Sequence, residues 1–271
     1  MSFRVRAPAT SANLGAGFDV AAVAFDLWNE LELGPADGGV DETHLGVQAF
    51  ARFAPPQEFS FRFVDRIPRE RGLGSSAAVV ALGLVAGALA AGEDVDADTL
   101  LAEGLGLEGH ADNLAAALVG GVCLTWDGRI ARVADDVPAA AVAVVPQGRV
   151  NTAEARAALP REVEHADAVF SAGRATLLGA ALASGNPALF SASADDRLHE
   201  PYRAKHAPHL ESIRRELPDG ALGATLSGSG PTVIVWAEKA RAGEVVGELA
   251  ERFPDHDVVH LRVATAGAGP A

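Results

Sequence analysis

Cysteine, methionine and tyrosine occur once each in the 271 residues. With Cys123 alone, no intramolecular disulfide can form, which excludes a disulfide-stapled scaffold and fits a reducing, cytoplasmic home. Positive charge is also scarce: 22 Lys and Arg against 36 Asp and Glu leave a net charge of −14. Nucleic acid and anionic membrane surfaces both call for a basic face, so this balance argues against either as a bulk partner. A small anion such as a nucleotide stays open, because helix N-termini and a few arginines hold phosphates locally. The first 13 residues contain no apolar core of a signal sequence, so none is expected. The longest uncharged apolar run, residues 76–92, falls short of the ~20 residues that a membrane span needs. It reads as a buried helix in which Gly83 and Gly87 permit close packing.

Apolar residues make up 49% of the chain and charged residues 21%, as in an ordinary globular protein of one large domain or two. Residues 3–7, 26–33 and 59–63 alternate as strands, and 122–125 with 130–133 form a hairpin around Asp127-Gly128. Residues 8–17 and 66–74 read as loops. Helices are expected over 44–53, from Ser75 onward, and over 98–105 and 112–118. The second half reads as helices over 152–159, 166–184, 187–197, 209–217 and 244–253. Strands are expected at 140–145 and 232–237, with a closing strand at 258–263. Strands and helices alternate irregularly, which indicates α+β rather than a doubly wound parallel sheet. Residues 135–138 are the nearest thing to a linker.

The strongest chemical signal is Pro68-Arg-Glu-Arg-Gly-Leu-Gly-Ser-Ser-Ala-Ala78. Gly72 and Gly74 allow close backbone approach, and Ser75 and Ser76 open the Ala-rich helix. The first amides of a helix lack internal partners and its dipole is positive there, so a phosphate fits. The two hydroxyls can donate to phosphate or ligate Mg²⁺. The bland alternative is a serine N-cap after a glycine turn. No G-x-x-x-x-G-K-[ST] string occurs, this loop is not of the G-x-G-x-x-G form, and there is no G-x-S-x-G nucleophile elbow. Two other glycine loops, residues 8–19 and 226–232, and the polar cluster Glu108-Gly-His-Ala-Asp-Asn113 complete the set. Polar loops so far apart in sequence suggest one shared cleft. His199, His206 and His209 with Glu200 could suggest a metal site; the His206–His209 spacing is ligand-like, but Pro208 sits between those two and no cysteine joins, so zinc is not expected.

Together, "PATSANLGAGFD", "IPRERGLGSSAA", "EGHADN", "TAEAR" and "EPYR" resemble the motifs of the GHMP small-molecule kinases, most closely the homoserine kinase branch. The match runs from Arg4 to about Thr232. Ala16 stands where the family often has proline, and the chain is shorter than many relatives. The resemblance implies a two-domain fold. Residues 1–138 would be a ribosomal-protein-S5-like N-terminal domain with the ATP loop, and 139–271 a ferredoxin-like C-terminal domain. It implies ATP and Mg²⁺ as cofactors, L-homoserine as acceptor, a place in threonine biosynthesis and, commonly, a homodimer.

The implied ATP-binding residues are Pro68, Arg69, Glu70, Arg71, Gly72, Leu73, Gly74, Ser75, Ser76, Ala77 and Ala78. Homoserine is a zwitterion, so its site needs an anion for the ammonium and cations for the carboxylate. Asp19 suits the first, and Arg156 and Arg203 the second, since guanidinium pairs bidentately with carboxylate. Asn13, His110 and Thr152 complete the implied substrate lining. Asp112 sits where some GHMP kinases place a catalytic base, with Asn113 beside it. For Mg²⁺ the implied ligands are Ser76 and an upstream glutamate, with Glu103 the first choice and Glu108 the second. Two alternatives stay open: a GHMP kinase acting on mevalonate, shikimate or a sugar, and a non-catalytic nucleotide-binding relative.

Overall fold

The alternating segments at the N-terminus become one long hairpin. β1 (Phe3–Asn13) and β2 (Gly17–Pro35) pair antiparallel from Phe3↔Leu33 to Asn13↔Gly17. This is a computed structural model, and it describes residues 2–36 and 38–271. The strand continues through residues 8–13, where the sequence reads as loop. The register shifts between Pro8 and Ala9, which absorbs the donor that proline lacks. Beyond the shift, Thr10, Ser11 and Asn13 are buried because their side chains find partners on distant segments. β2 is shared: Glu30–Pro35 pairs with β3 (Phe59–Val64), and Ala21–Val23 with β4 (Val122–Trp126). β4 turns into β5 (Arg129–Ala134) through Asp127 and Gly128, both at positive φ, as the two-residue hairpin signal predicts.

Against this sheet lie α1 (Leu45–Phe50), α2 (Ser75–Ala91), α3 (Ala97–Glu108) and α4 (Ala111–Val119). α2 is apolar on nearly every face because it is packed on nearly every face. A Cβ at Gly83 would stand 2.1 Å from the Gly46 carbonyl oxygen, and one at Gly87 2.5 Å from that of Phe50. Among the described residues, no helix is long and apolar enough to cross a membrane.

The second layer starts with β6 (Ala140–Pro146), followed by α5 (Thr152–Ala157), α6 (His165–Ser184), α7 (Pro187–Ala192), α8 (Glu200–Arg203) and α9 (Pro208–Arg215). Then come β7 (Ala221–Leu226), β8 (Val233–Ala237), α10 (Ala242–Arg252) and β9 (His256–Leu261). The sheet order is β7-β8-β6-β9, all antiparallel. Ala141, Ala143 and Val145 of β6 join the large core shared with the first sheet, while Ala140, Val142 and Val144 pack toward α9 and α10. Burial on both faces explains the unbroken apolar run.

Three expectations need correction. The helix expected over 187–197 stops at Ala192. Beyond it, Asp196 turns inward and accepts the backbone N–H groups of Leu198, His199 and Glu200 at 2.7–3.0 Å, which starts α8. β7 carries little alternation and so gives no strand signal in the sequence; its pairing with β8 forms it. The chain does not close on β9. Val263 bridges to Phe25, and β10 (Gly269–Pro270) pairs with β1 in the first sheet.

Candidate active site

The three glycine loops meet. Gly228 N–H donates to the Ala12 carbonyl (3.2 Å), and Asn13 Nδ2 donates to that of Gly228 (3.0 Å). Ser227 Oγ lies 2.8 Å from Ser11 Oγ and donates to the Gly72 carbonyl at 2.5 Å. Thr10 N–H and Thr232 N–H reach the carbonyls of Leu73 and Arg71. Between them opens a solvent-accessible cleft lined by residues of all three loops.

One end of the cleft is the start of α2. Its N-cap is Gly74, which offers no side-chain acceptor, and the first intrahelical bond at this end runs from Ala78 N–H to the Gly74 carbonyl. The amides of the first turn therefore point out of the helix unpaired, at the positive end of its dipole. Gly74 has φ +66°, and a Cβ there would lie 1.8 Å from Thr10 Oγ1. At Gly72 a Cβ would lie 2.4 Å from the Ser227 carbonyl oxygen. Pro68, Glu70, Arg71, Gly72, Leu73, Gly74, Ser75 and Ser76 all line the cleft. Arg69 does not: its guanidinium turns away to Asp65. Ala77 and Ala78 are fully buried on the core side of α2, so they support the loop from behind.

The cleft wall is the N-terminus of α4. Asp112 is 3% exposed, and its Oδ1 accepts the Asn113 N–H at 2.7 Å. Burial raises its pKa to about 6, against the pull of that hydrogen bond. Thr10 Oγ1 donates to Asn113 Oδ1 at 2.7 Å and fixes the amide's orientation. His110 Nδ1 lies 3.1 Å from the Glu108 carbonyl oxygen and 3.7 Å from its carboxylate; hydrogen bonding to Glu108 lifts the imidazole's pKa above its ordinary value. Of the two candidate glutamates, Glu108 lines the cleft and keeps a buried, unpartnered Oε2. Glu103 is exposed on α3 and lies outside the cleft lining, because the turn at Gly109 brings only the C-terminal end of α3 to the cleft.

The other end gathers Asn13, Asp19, Thr152 and Arg203. Asn13 Oδ1 accepts the Asp19 N–H (3.1 Å), so Asn13 ties the first glycine turn to the third loop as well as lining the site. Asp19 pairs bidentately with Arg156 of α5 at 3.0 Å, on the exposed rim. Arg203, on α8, is 3% exposed; its Nη1 donates to the Gly228 carbonyl at 3.2 Å while its Nε is buried without a partner. Burial pulls its pKa below the usual guanidinium value. Gly228 and Ser229 of the third loop also line the cleft. Their segment stood out in the sequence, but nothing in it marked these two positions.

The GHMP kinase N-terminal domain model matches residues 44–121, and the GHMP kinase C-terminal model matches 174–255. The homoserine kinase of Streptomyces avermitilis is 38% identical, with 89% of this chain and 88% of that protein covered. The chain belongs to the homoserine kinase family. Another homoserine kinase, from Desulfitobacterium hafniense, is 37% identical over 93% of both chains. The crystal structure of homoserine kinase from Cytophaga hutchinsonii superposes with a TM-score of 0.88 at 27% identity, covering 100% of this chain and 97% of that one. A mevalonate kinase structure at 16% identity and a TM-score of 0.74 shares the fold. The α+β, two-domain GHMP kinase architecture expected from the motifs is thus the one observed.

Proposed function

We propose that this member of the homoserine kinase family transfers the γ-phosphoryl group of ATP to the side-chain hydroxyl of L-homoserine, giving O-phospho-L-homoserine for threonine biosynthesis. The observation that carries this reading is the charge layout of a single cleft. An unpaired helix N-terminus fits phosphates at one end. An acid and two arginines, one with an unpartnered buried Nε, fit a zwitterion at the other. Mevalonate, shikimate and the common sugars carry no ammonium group, and they leave Asp19 with no partner beyond Arg156.

The loop 68–76 and the first amides of α2 cradle the phosphates. Asp19 takes the substrate ammonium; Arg156 and Arg203 take the carboxylate. Asn13, His110 and Thr152 complete the polar lining. Asp112, with Asn113 orienting it, accepts the hydroxyl proton as the alcohol oxygen bonds to the γ-phosphorus and ADP leaves. Among the described residues no cluster of three or more His, Cys, Asp or Glu forms a metal cage. That suits Mg²⁺, which is commonly held by one or two protein groups and the phosphates. Glu108, with its free buried oxygen, and the Ser76 hydroxyl would hold it, and it would neutralise charge developing on the phosphates. We divide the chain at 138/139, with the C-terminal tail returning to the first sheet. The single thiol, Cys123, is buried with its pKa pushed up to about 12, which suits a cytoplasmic protein without redox chemistry at cysteine.

The test is an ADP-release assay with Mg·ATP and equal concentrations of L-homoserine, L-serine, L-threonine, mevalonate and shikimate. Turnover selective for L-homoserine is expected, and Arg203→Ala should raise its KM by about 10–100-fold with little change in KM for ATP. Preferred turnover of an alcohol without an amino-acid head group would overturn the reading.

A further inference from the structure

His199 lies directly before the "EPYR" segment and is completely buried behind the cleft. Its two ring nitrogens have different partners. Nε2 is 3.0 Å from the Gly15 carbonyl oxygen, which can only accept, so Nε2 carries the proton. The Asp196 carboxylate, 3.7 Å from the same nitrogen, favours that tautomer too. Nδ1 is then a lone-pair acceptor, and Arg203 Nη1 stands 3.3 Å from it. The Phe18 ring stacks on the imidazole at 4.8 Å and 17°, and the Arg203 guanidinium carbon lies 5.3 Å from the same ring. Burial pushes the imidazole's pKa down to about 4, so it stays neutral and able to accept at neutral pH.

We infer that His199 is a positioning residue for substrate recognition: its Nδ1 holds the Arg203 guanidinium in the orientation that presents the free Nε edge to the acceptor's carboxylate. A guanidinium has five donors and no acceptor. One nitrogen spent on His199 and Gly228 fixes the plane of the fork and leaves the rest for the ligand. Through Gly15 the same ring also registers Arg203 against the first glycine turn, which carries Asn13 and Asp19. The inference rests on the assignment of Arg203 to the substrate carboxylate.

Two isosteric replacements separate positioning from packing. In His199→Asn the side-chain oxygen can occupy the place of Nδ1 and keep the acceptor for Arg203. In His199→Gln the terminal amide reaches the place of Nε2, keeping the bond to Gly15 and losing the acceptor. The expected result is a KM for L-homoserine near wild type in His199→Asn and raised roughly tenfold in His199→Gln. KM for ATP should be unchanged in both, and His199→Gln should add nothing in an Arg203→Ala background. Equal KM shifts in the two variants, or shifts that follow their melting temperatures, would assign His199 to packing alone and overturn the inference. If Arg203→Ala itself leaves the KM for L-homoserine unchanged, the failure lies instead in the reading of Arg203.

Discussion

The two ends of the cleft, which we assign to the nucleotide and to the acceptor, are built by opposite means. The first is a continuous stretch, residues 68–76, and its working groups are backbone amides and two hydroxyls at the start of α2. The second draws Asp19 from the start of β2, Arg156 from α5 and Arg203 from α8. Its working groups are charged side chains, oriented by a buried polar layer. Glu200 belongs to that layer: it accepts from Arg214 at 2.5 Å and from the Leu226 N–H at 2.7 Å, and so joins α8 to the strand that enters the third loop. Phosphates are the same in every ATP-dependent kinase, so a local backbone motif serves them. The acceptor differs from one enzyme to another, and side chains on separate elements can be changed one at a time.

The sharpest break falls where the two ends meet. Asp112→Asn should lower kcat by about 100- to 10,000-fold with modest change in either KM, the range for a general base. In the wild type, kcat/KM should rise with pH through about 6 as the carboxylate of the free enzyme ionises. Stability moves the other way. The folded state holds this proton up to about pH 6, whereas an unfolded aspartate releases it near 4. Asp112 therefore stabilises the fold only at low pH, and that contribution is lost as pH rises through 6. The asparagine variant should melt higher than the wild type at pH 7.5 and about level with it at pH 4, as a calorimetric series would record.

At the nucleotide end, Gly74→Ala drives a Cβ into Thr10. A loss on the order of 100-fold in kcat/KM for ATP is expected from displacing the loop by about 1 Å. A smaller effect separates the two glutamates. Glu108→Gln should raise the Mg²⁺ concentration for half-maximal activity by on the order of tenfold, and Glu103→Gln should leave it within twofold by the same assay, since Glu103 is exposed outside the cleft. The smallest effect is on stability at the acceptor end. The Asp19–Arg156 pair is roughly two-fifths exposed on both sides, so Asp19→Asn should cost less than about 1 kcal/mol in denaturant melts. The same change should raise the KM for L-homoserine, which separates a binding role from a structural one.

The contrast between the two ends is also a contrast in legibility. Residues 68–76 are legible because their signal is local: glycines, hydroxyls and a helix start lie within a few residues of one another. The length of α2, the Asp127-Gly128 turn and the unbroken run of β6 were legible for the same reason, since each is fixed by neighbouring residues. Arg69 shows the limit even there. It sits inside the motif, yet a nearer partner, Asp65, takes its side chain out of the cleft.

What the sequence determined by itself is the inventory: which groups are available, the family pattern they match, and the helix start whose free amides suit a phosphate. Tertiary structure decided which of those groups face one another. It carried β1 through residues that look like loop, because a partner strand and a distant glycine loop satisfy their polar groups. It placed Glu108 rather than Glu103 in the cleft, and it turned His199 from a scattered histidine into the acceptor behind Arg203. A residue's chemistry is carried by its side chain, but its pKa, tautomer and free hydrogen-bonding edge depend on neighbours far along the chain, 184 residues away in the case of His199 and Gly15, and only the folded chain brings those neighbours together.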